Sequence, residues 1–275
     1  MIEINALNFK YGKCHVFNDI SLSFKSGQIY GLLGQNGVGK TTLLKIIAGL
    51  QRVHSGECVI DGKFPYDRLP SLLQETYILP EEPEIPAVQI EEFAKNTGAF
   101  YPRFDLNKFY SIMKEFGVDP KSKFSKLSLG QRKKSMIAIA LSLNTRYILL
   151  DEPSNGLDIP SKSLLCRLIA RQCSDDVTII ISTHQVKDME NLISPIIILD
   201  RDEVLLDASI EEISDKLYFS YSREKDPSAF YCEQVPGGYV CISANEDNME
   251  SKVNIEALFN AVLSNKHYVK ELFKK

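Results

Sequence analysis

The chain has no tryptophan, only four histidines in 275 residues, and no excess of basic residues: 32 Lys+Arg stand against 36 Asp+Glu, a formal charge of -4. Gripping phosphate backbones needs broad positive surface, so nucleic acid is not expected as a partner. No apolar run approaches the roughly 18 residues of a membrane span. The most apolar stretches, "PIIILD" and "VTIIIST", have the length of buried strands. The start, "MIEINALNFKYG", lacks a basic region followed by an apolar core, so a secretory signal is not expected and cytosolic residence is. Six cysteines, at 14, 58, 166, 173, 232 and 241, form no CxxC pair and no zinc-like grouping with histidine. Buried free thiols are expected of them rather than disulfides or metal ligands.

What is present is ordinary globular material, 44% hydrophobic and 25% charged, enough for one large domain or a domain with an appendage. The opening alternates as strands do in "IEINALNFKY" and "VFNDISLSFKSG", and "QIYGLLG" is a short buried run. After "GQNGVGK" comes "TTLLKIIAGL", one apolar helical face of Leu43, Leu44, Ile46 and Ile47 closed by Gly49. "GECVIDGKF" reads as a hairpin arm turning at Asp61-Gly62. Prolines at 80, 83 and 86 then break regularity, and from about Ile90 to Asn144 the periodicity is mostly helical.

"RYILLDEP" and "VTIIISTH" are apolar strands ending in polar residues, with a helix from about Pro160 to Cys173 between them and Asp158 as its cap. That alternation implies a parallel sheet with covering helices. "PIIILDRDEVLLD" reads as a hairpin, and "SIEE" at Ser209 to Glu212 fits a capping box. Beyond about Leu217 the pattern changes to short strands followed by one helix, a small appended domain.

Two motifs carry chemistry. "GQNGVGKT", Gly34 to Thr41, fits GxxxxGK[ST] between a predicted strand and a helix. Backbone N–H groups of Gly34, Gln35, Asn36, Gly37, Val38 and Gly39 can turn toward nucleotide phosphates, and the following helix, with Thr42 in its first turn, points its positive end at them. Lys40 reaches the β- and γ-phosphates and Thr41 offers a hydroxyl to Mg²⁺. In "YILLDEP" two carboxylates follow four apolar strand residues, at the strand's carboxyl end where open α/β sheets bind ligands. Asp151 suits Mg²⁺, and Glu152 suits the general base that activates a water.

With both motifs in place the chain resembles the ATPase subunit of ATP-binding cassette (ABC) transporters over about residues 1 to 215. "LSLGQ", Leu127 to Gln131, is similar to the family's LSGGQ signature with Leu at the third position, "SNGLD", Ser154 to Asp158, resembles its D-loop, and "STHQ" carries His184 where the family has a switch histidine. Tyr11 resembles the aromatic that stacks on adenine, with Phe9 and Phe17 as competitors.

The resemblance implies an α/β P-loop NTPase with a mostly parallel central sheet, an antiparallel β layer, a helical subdomain at about 86–146 and a small C-terminal α+β extension at 216–275. It further implies ATP and Mg²⁺ as ligands, and Lys40, Glu152 and His184 as catalytic groups. A head-to-tail dimer follows from it, a homodimer or a heterodimer with a similar cassette. There Ser128, Gly130, Gln131 and Asp158 reach the ATP cradled by the partner. An integral membrane permease is then the second partner, with the chain on the cytoplasmic face of the membrane.

At the lid position, where the family has a metal-sensing glutamine, this sequence has Glu81, expected to add to the metal group of Thr41 and Asp151 and to meet a basic residue of the permease. The basic run at 132–134 is expected to be a solvated helix face, and the aromatics of "FYPRFDLNKFY" mostly core. "IEALFNAVL" resembles the terminal helix of exporter-type cassettes and tilts the expectation toward export. The alternative is a non-transport cassette acting as an ATP-driven clamp.

Overall fold

The computed structural model describes residues 1–84 and 87–274; Pro86, at the expected start of the helical subdomain, lies outside the described residues. The chain opens with β1 (Ile2–Tyr11), β2 (Cys14–Phe24) and β3 (Gln28–Leu33), then α1 (Lys40–Ile47) and β4 (Ser55–Ile60). α2 (Pro70–Leu73) and β5 (Thr76–Leu79) follow, and then α3 (Ile90–Gly98), α4 (Leu106–Glu115) and α5 (Leu129–Ser142) supply the expected helical stretch. β6 (Tyr147–Asp151), α6 (Ile159–Ala170), β7 (Thr178–Thr183), β8 (Ile196–Asp200) and β9 (Glu203–Ala208) complete the cassette strands. The chain ends with α7 (Ile210–Lys216), β10 (Leu217–Ser222), β11 (Tyr231–Val235), β12 (Gly238–Ala244), α8 (Ile255–Ser264) and α9 (Lys266–Leu272).

A central sheet of order β5-β6-β7-β3-β8-β9 is parallel except for β9, which returns antiparallel to β8. Its inner strands are buried on both faces, which explains their unbroken apolar runs. Successive side chains serve opposite layers. Leu32, Leu149, Ile180 and Ile197 pack with α1 and the antiparallel sheet β2-β1-β4, whereas Ile148, Leu150, Ile179 and Ile181 pack with α5 and α6. The Asp61-Gly62 turn is observed, both residues at positive φ (47° and 76°), with Ile60 and Lys63 exchanging backbone hydrogen bonds. Asp158 caps α6 by accepting from the Ser161 N–H at 2.9 Å, as its place before the proline predicts.

The C-terminal segment forms a sheet of order β10-β12-β11 and ends in two helices rather than one, because the chain leaves helical geometry at Asn265. Its Ile242, Ile255, Leu258 and Val262 join the same apolar core as Leu205 and Leu206 of β9.

Three expectations are corrected. Cys232 and Cys241 are disulfide-bonded, because the tight β11–β12 connection places them directly opposite each other in register. Of the other cysteines only Cys58 is buried, while Cys14 and Cys173 are exposed. The basic run is not a solvated face. Arg132 Nε donates to the Phe124 carbonyl at 3.1 Å, Lys133 is buried, and Lys134 pairs with Asp158 at 3.6 Å. The run starts a helix packed between the sheet and the other helices, so its stems turn inward. Of the aromatics in FYPRFDLNKFY only Phe109 is fully buried; Phe104 and Tyr110 pack against the core half-buried, and Phe100 is 73% exposed. Among the described residues no helix is long and apolar enough to cross a membrane.

Candidate nucleotide site

The carboxyl ends of β3, β6 and β7 lie side by side. Leu33 pairs with Thr183 and Asp151 with Ser182, so the residues that follow, Gly34, Glu152 and His184, emerge at one level of the sheet. The phosphate-loop sequence begins there. Gly39 caps α1 at φ 109°, and a Cβ on it would stand 2.9 Å from the Phe17 ring, so the loop needs glycine for both its turn and its close packing on β2. Gly37, at φ 84°, faces open space. Backbone amides at the start of α1 are therefore presented to one side with the positive helix end behind them.

Lys40 folds back over this loop. Its Nζ donates to the carbonyl oxygens of Gly34 (2.7 Å) and Gln35 (3.1 Å) and lies 3.7 Å from Glu152 Oε1. Burial pulls the ammonium below the ordinary lysine range, against the opposing pull of Glu152 and Asp151. Thr41 Oγ1 donates to Asp151 Oδ2 at 2.7 Å, while the Ser182 hydroxyl donates to Asp151 Oδ1. Thus the two expected Mg²⁺ groups adjoin, and a hydroxyl with a carboxylate is the oxygen donor set that Mg²⁺ takes alongside phosphate.

Glu152 is a non-glycine residue at φ 45°, a conformation held by its N–H donating to the Ser182 carbonyl at 3.1 Å. The turn delivers its carboxylate, 4% exposed as a residue, to Lys40 on one side and His184 on the other, where Nδ1 lies 2.8 Å from Oε1. Lys40, Thr41, Asp151, Glu152 and His184 are brought together as the sequence implied. Ser182 was missed. Its signal was readable in retrospect, since "LLD" and "IST" end adjacent apolar strands.

Other residues are placed elsewhere. Tyr11 closes β1 with its ring 47% exposed and edge-on to Phe9, whereas the competitors Phe9 and Phe17 are buried. Ser128 caps α5 in a reciprocal box with Gln131, its Oγ accepting at 3.3 Å and its N–H donating to Gln131 Oε1 at 3.0 Å. A Cβ at Gly130 would lie 3.1 Å from the Gly156 carbonyl, so the signature and the segment containing Asp158 pack together. Among the described residues no hydrogen bond or ion pair joins Ser128, Gly130, Gln131 or Asp158 to residues 34–42. Glu81, the third expected metal group, accepts instead from Asn155 Nδ2 at 2.8 Å, although its charge still reaches Lys40.

A strand, a glycine loop opening a helix, a hydrogen-bonded Thr41–Asp151 pair and a buried carboxylate beside the loop lysine define a P-loop nucleoside-triphosphate hydrolase. The match to the "ABC transporter" family model over residues 17–155 is more specific. The chain belongs to the ABC transporter ATP-binding family and is an ATPase subunit of it.

It is 30% identical over 231 residues to an uncharacterized ABC transporter ATP-binding protein of Methanocaldococcus jannaschii, covering 80% of this chain and 82% of that one. It is 27% identical over 218 residues to the ABC transporter ATP-binding protein YtrB of Bacillus subtilis, covering 78% and 74%. Among solved structures, the ATP binding subunit of an ABC transporter superposes with a TM-score of 0.72 at 25% identity, covering 78% of this chain and 91% of that one. A dimeric post-hydrolysis cassette bound to ADP and Pi shares the fold, with a TM-score of 0.68 at 22% identity and coverage of 76% and 98%.

Proposed function

We propose that two such subunits close head to tail around Mg-ATP and that hydrolysis reopens them to drive a separate integral membrane permease. The observation that carries this is a division of the site. Lys40, Asp151 and Glu152 are buried beneath the phosphate loop of one subunit, while Ser128, Leu129 and Ile159 form an exposed surface that, among the described residues, makes no bond to that loop; Leu129 is 75% and Ile159 81% exposed.

In this reading the amides from Gly34 to Thr42 hold the phosphates. Lys40 exchanges its loop carbonyls for phosphate oxygens and so releases Glu152 from the 3.7 Å ion pair to take a proton from the attacking water. Thr41 and Asp151 hold Mg²⁺, which when bound supplies positive charge against the phosphate oxygens. His184, on Glu152, orients the base, and the exposed Tyr11 ring accepts the adenine. Ser128 Oγ and the Gly130 N–H, at the start of α5, grip the γ-phosphate cradled by the other subunit, with Gln131 and Asp158 shaping that end. Closing a pair from 1% to 99% takes about 5.5 kcal/mol of differential binding. Charge-assisted bonds of about 1.5–3 kcal/mol each, made at two sites, supply it.

The permease reading rests on a second feature. A cleft of about 640 Å³ opens between the central sheet and the helical stretch, lined by Leu50, Leu73, Phe93, Phe100 and Tyr101, and it suits an amphipathic helix of a membrane partner. This cleft favours a transporter over a free-standing clamp and implies a place at the cytoplasmic face of a membrane. The expectation of export rests on the terminal helix alone. Relatives named for methionine import and arabinose import share 29% and 27% identity over the cassette, so we assign no direction. Residues 216–275 are proposed as an accessory unit fused through the core they share with β9.

Glu152→Gln tests the reading. It is expected to keep ATP binding, lower turnover at least about 100-fold, and accumulate an ATP-bound dimer by light scattering. A variant that stays monomeric at saturating Mg-ATP refutes the closed pair.

A further inference from the structure

Lys133 lies one turn into α5, past the signature, and is 6% exposed. Its Nζ donates to the backbone carbonyl of Glu81 at 2.8 Å. The side chain of the same Glu81 accepts from Asn155 at 2.8 Å, three residues beyond Glu152. One lid residue is thus fastened at its backbone to the signature helix and at its carboxylate to the segment that follows the base.

An ammonium carries three donors, and a buried one costs several kcal/mol unless opposite charge surrounds it. Burial lowers the proton affinity of Lys133, and the acids whose fields oppose that fall are, in order, Glu81, Asp151, Glu152 and Glu82. This buried cation therefore shares the field of the nucleotide site's acids.

We propose that Lys133 is a positioning residue for the hydrolytic site: it fixes the Glu81 backbone against the signature helix of its own subunit, and its charge offsets the Glu81 carboxylate. The inference rests on the ATPase reading. An acid can stand at the lid, where the family resemblance leads one to expect a neutral amide, because a cation has been buried behind it. The two residues then act as one unit. Removing the cation alone leaves an acid facing an anionic ligand, and removing the acid as well restores balance.

A double-mutant cycle with Lys133→Gln, Glu81→Gln and the combined variant tests this, with Lys133→Arg as the conservative change. The readouts are equilibrium binding of fluorescent ATP in EDTA, steady-state kcat and KM with Mg-ATP, and melting temperature. Lys133→Gln is expected to weaken Mg-free ATP binding about tenfold. The combined variant should recover to within about twofold of the parent, and Lys133→Arg should match the parent. Equal losses in both Glu81 backgrounds, or an effect confined to melting temperature, overturn the proposal. So does weaker Mg-free binding by Glu81→Gln alone, which holds whether or not Lys133→Gln folds. Saturable ATP binding by the parent that is lost in Lys40→Ala checks the underlying reading separately.

Discussion

In the cradle, Lys40, Asp151 and Glu152 are 6%, 2% and 4% exposed, and each has its partners inside the chain. At the signature, Ser128 is exposed, Leu129 is 75% exposed, and the available hydrogen bonds are spent on capping α5. One region is a finished polar network in a low-dielectric interior, where deleting a member leaves the others uncompensated. The other is a helix start with an apolar fringe, stable without a ligand, where an alteration costs little beyond the cap of α5. The difference teaches that the first region holds itself together, whereas the second acquires its use only when another surface covers it.

The comparison breaks most severely in a mixing experiment. Lys40→Ala and Ser128→Arg subunits are each expected to lose nearly all turnover alone. Mixed, they should regain up to about a quarter of the parent's activity through pairs in which one composite site is intact. Recovery of none, with both variants folded by circular dichroism, means that cradle and signature serve the same subunit.

A sharper distinction comes from Ser182→Ala. It removes the hydroxyl that donates to Asp151, so a buried acceptor goes unsatisfied at a cost of about 1–3 kcal/mol. The melting temperature should fall by about 2–4 °C for each kcal/mol, together with turnover, whereas Ser128→Ala at the exposed surface should cost less, about 1 kcal/mol for the lost α5 cap. Equal melting shifts for the two serines erase the contrast.

Within the ordinary pH range the smallest effect concerns Cys58, buried in β4. Burial pushes its thiol up to about 12 from an ordinary 9.0. Below pH 9 both folded and unfolded chains keep the proton and the contribution is whole. Between pH 9 and about 12 only the unfolded chain loses it, so stability falls as pH rises, by at most about 1.4 kcal/mol per unit. Urea midpoints of the parent and Cys58→Ala should converge or cross over that window; a difference independent of pH contradicts the assignment.

Much of the site was legible because its signals are local. GQNGVGKT, LLDEP and STH each stand at the end of an apolar run, and a parallel sheet places such ends together. Lys133 was misread because three cations on one helix turn look solvated until the position of the helix is known. Asn155 was passed over for the same reason, since an amide in a loop gains meaning only from the Glu81 carboxylate 74 residues away. The Cys232–Cys241 bond likewise depends on a strand register that spacing alone does not give.

The sequence by itself determined the strand–loop–helix order, the phosphate loop, the carboxylate pair and the membership of the family, since each rests on residue types at short, fixed separation. Tertiary structure alone decided which tyrosine or phenylalanine stays exposed and which serine braces Asp151. It also decided that Lys133 turns inward and that the C-terminal segment shares the cassette's core. Those outcomes depend on burial and on partners far along the chain, and both come into being only when the sheet assembles.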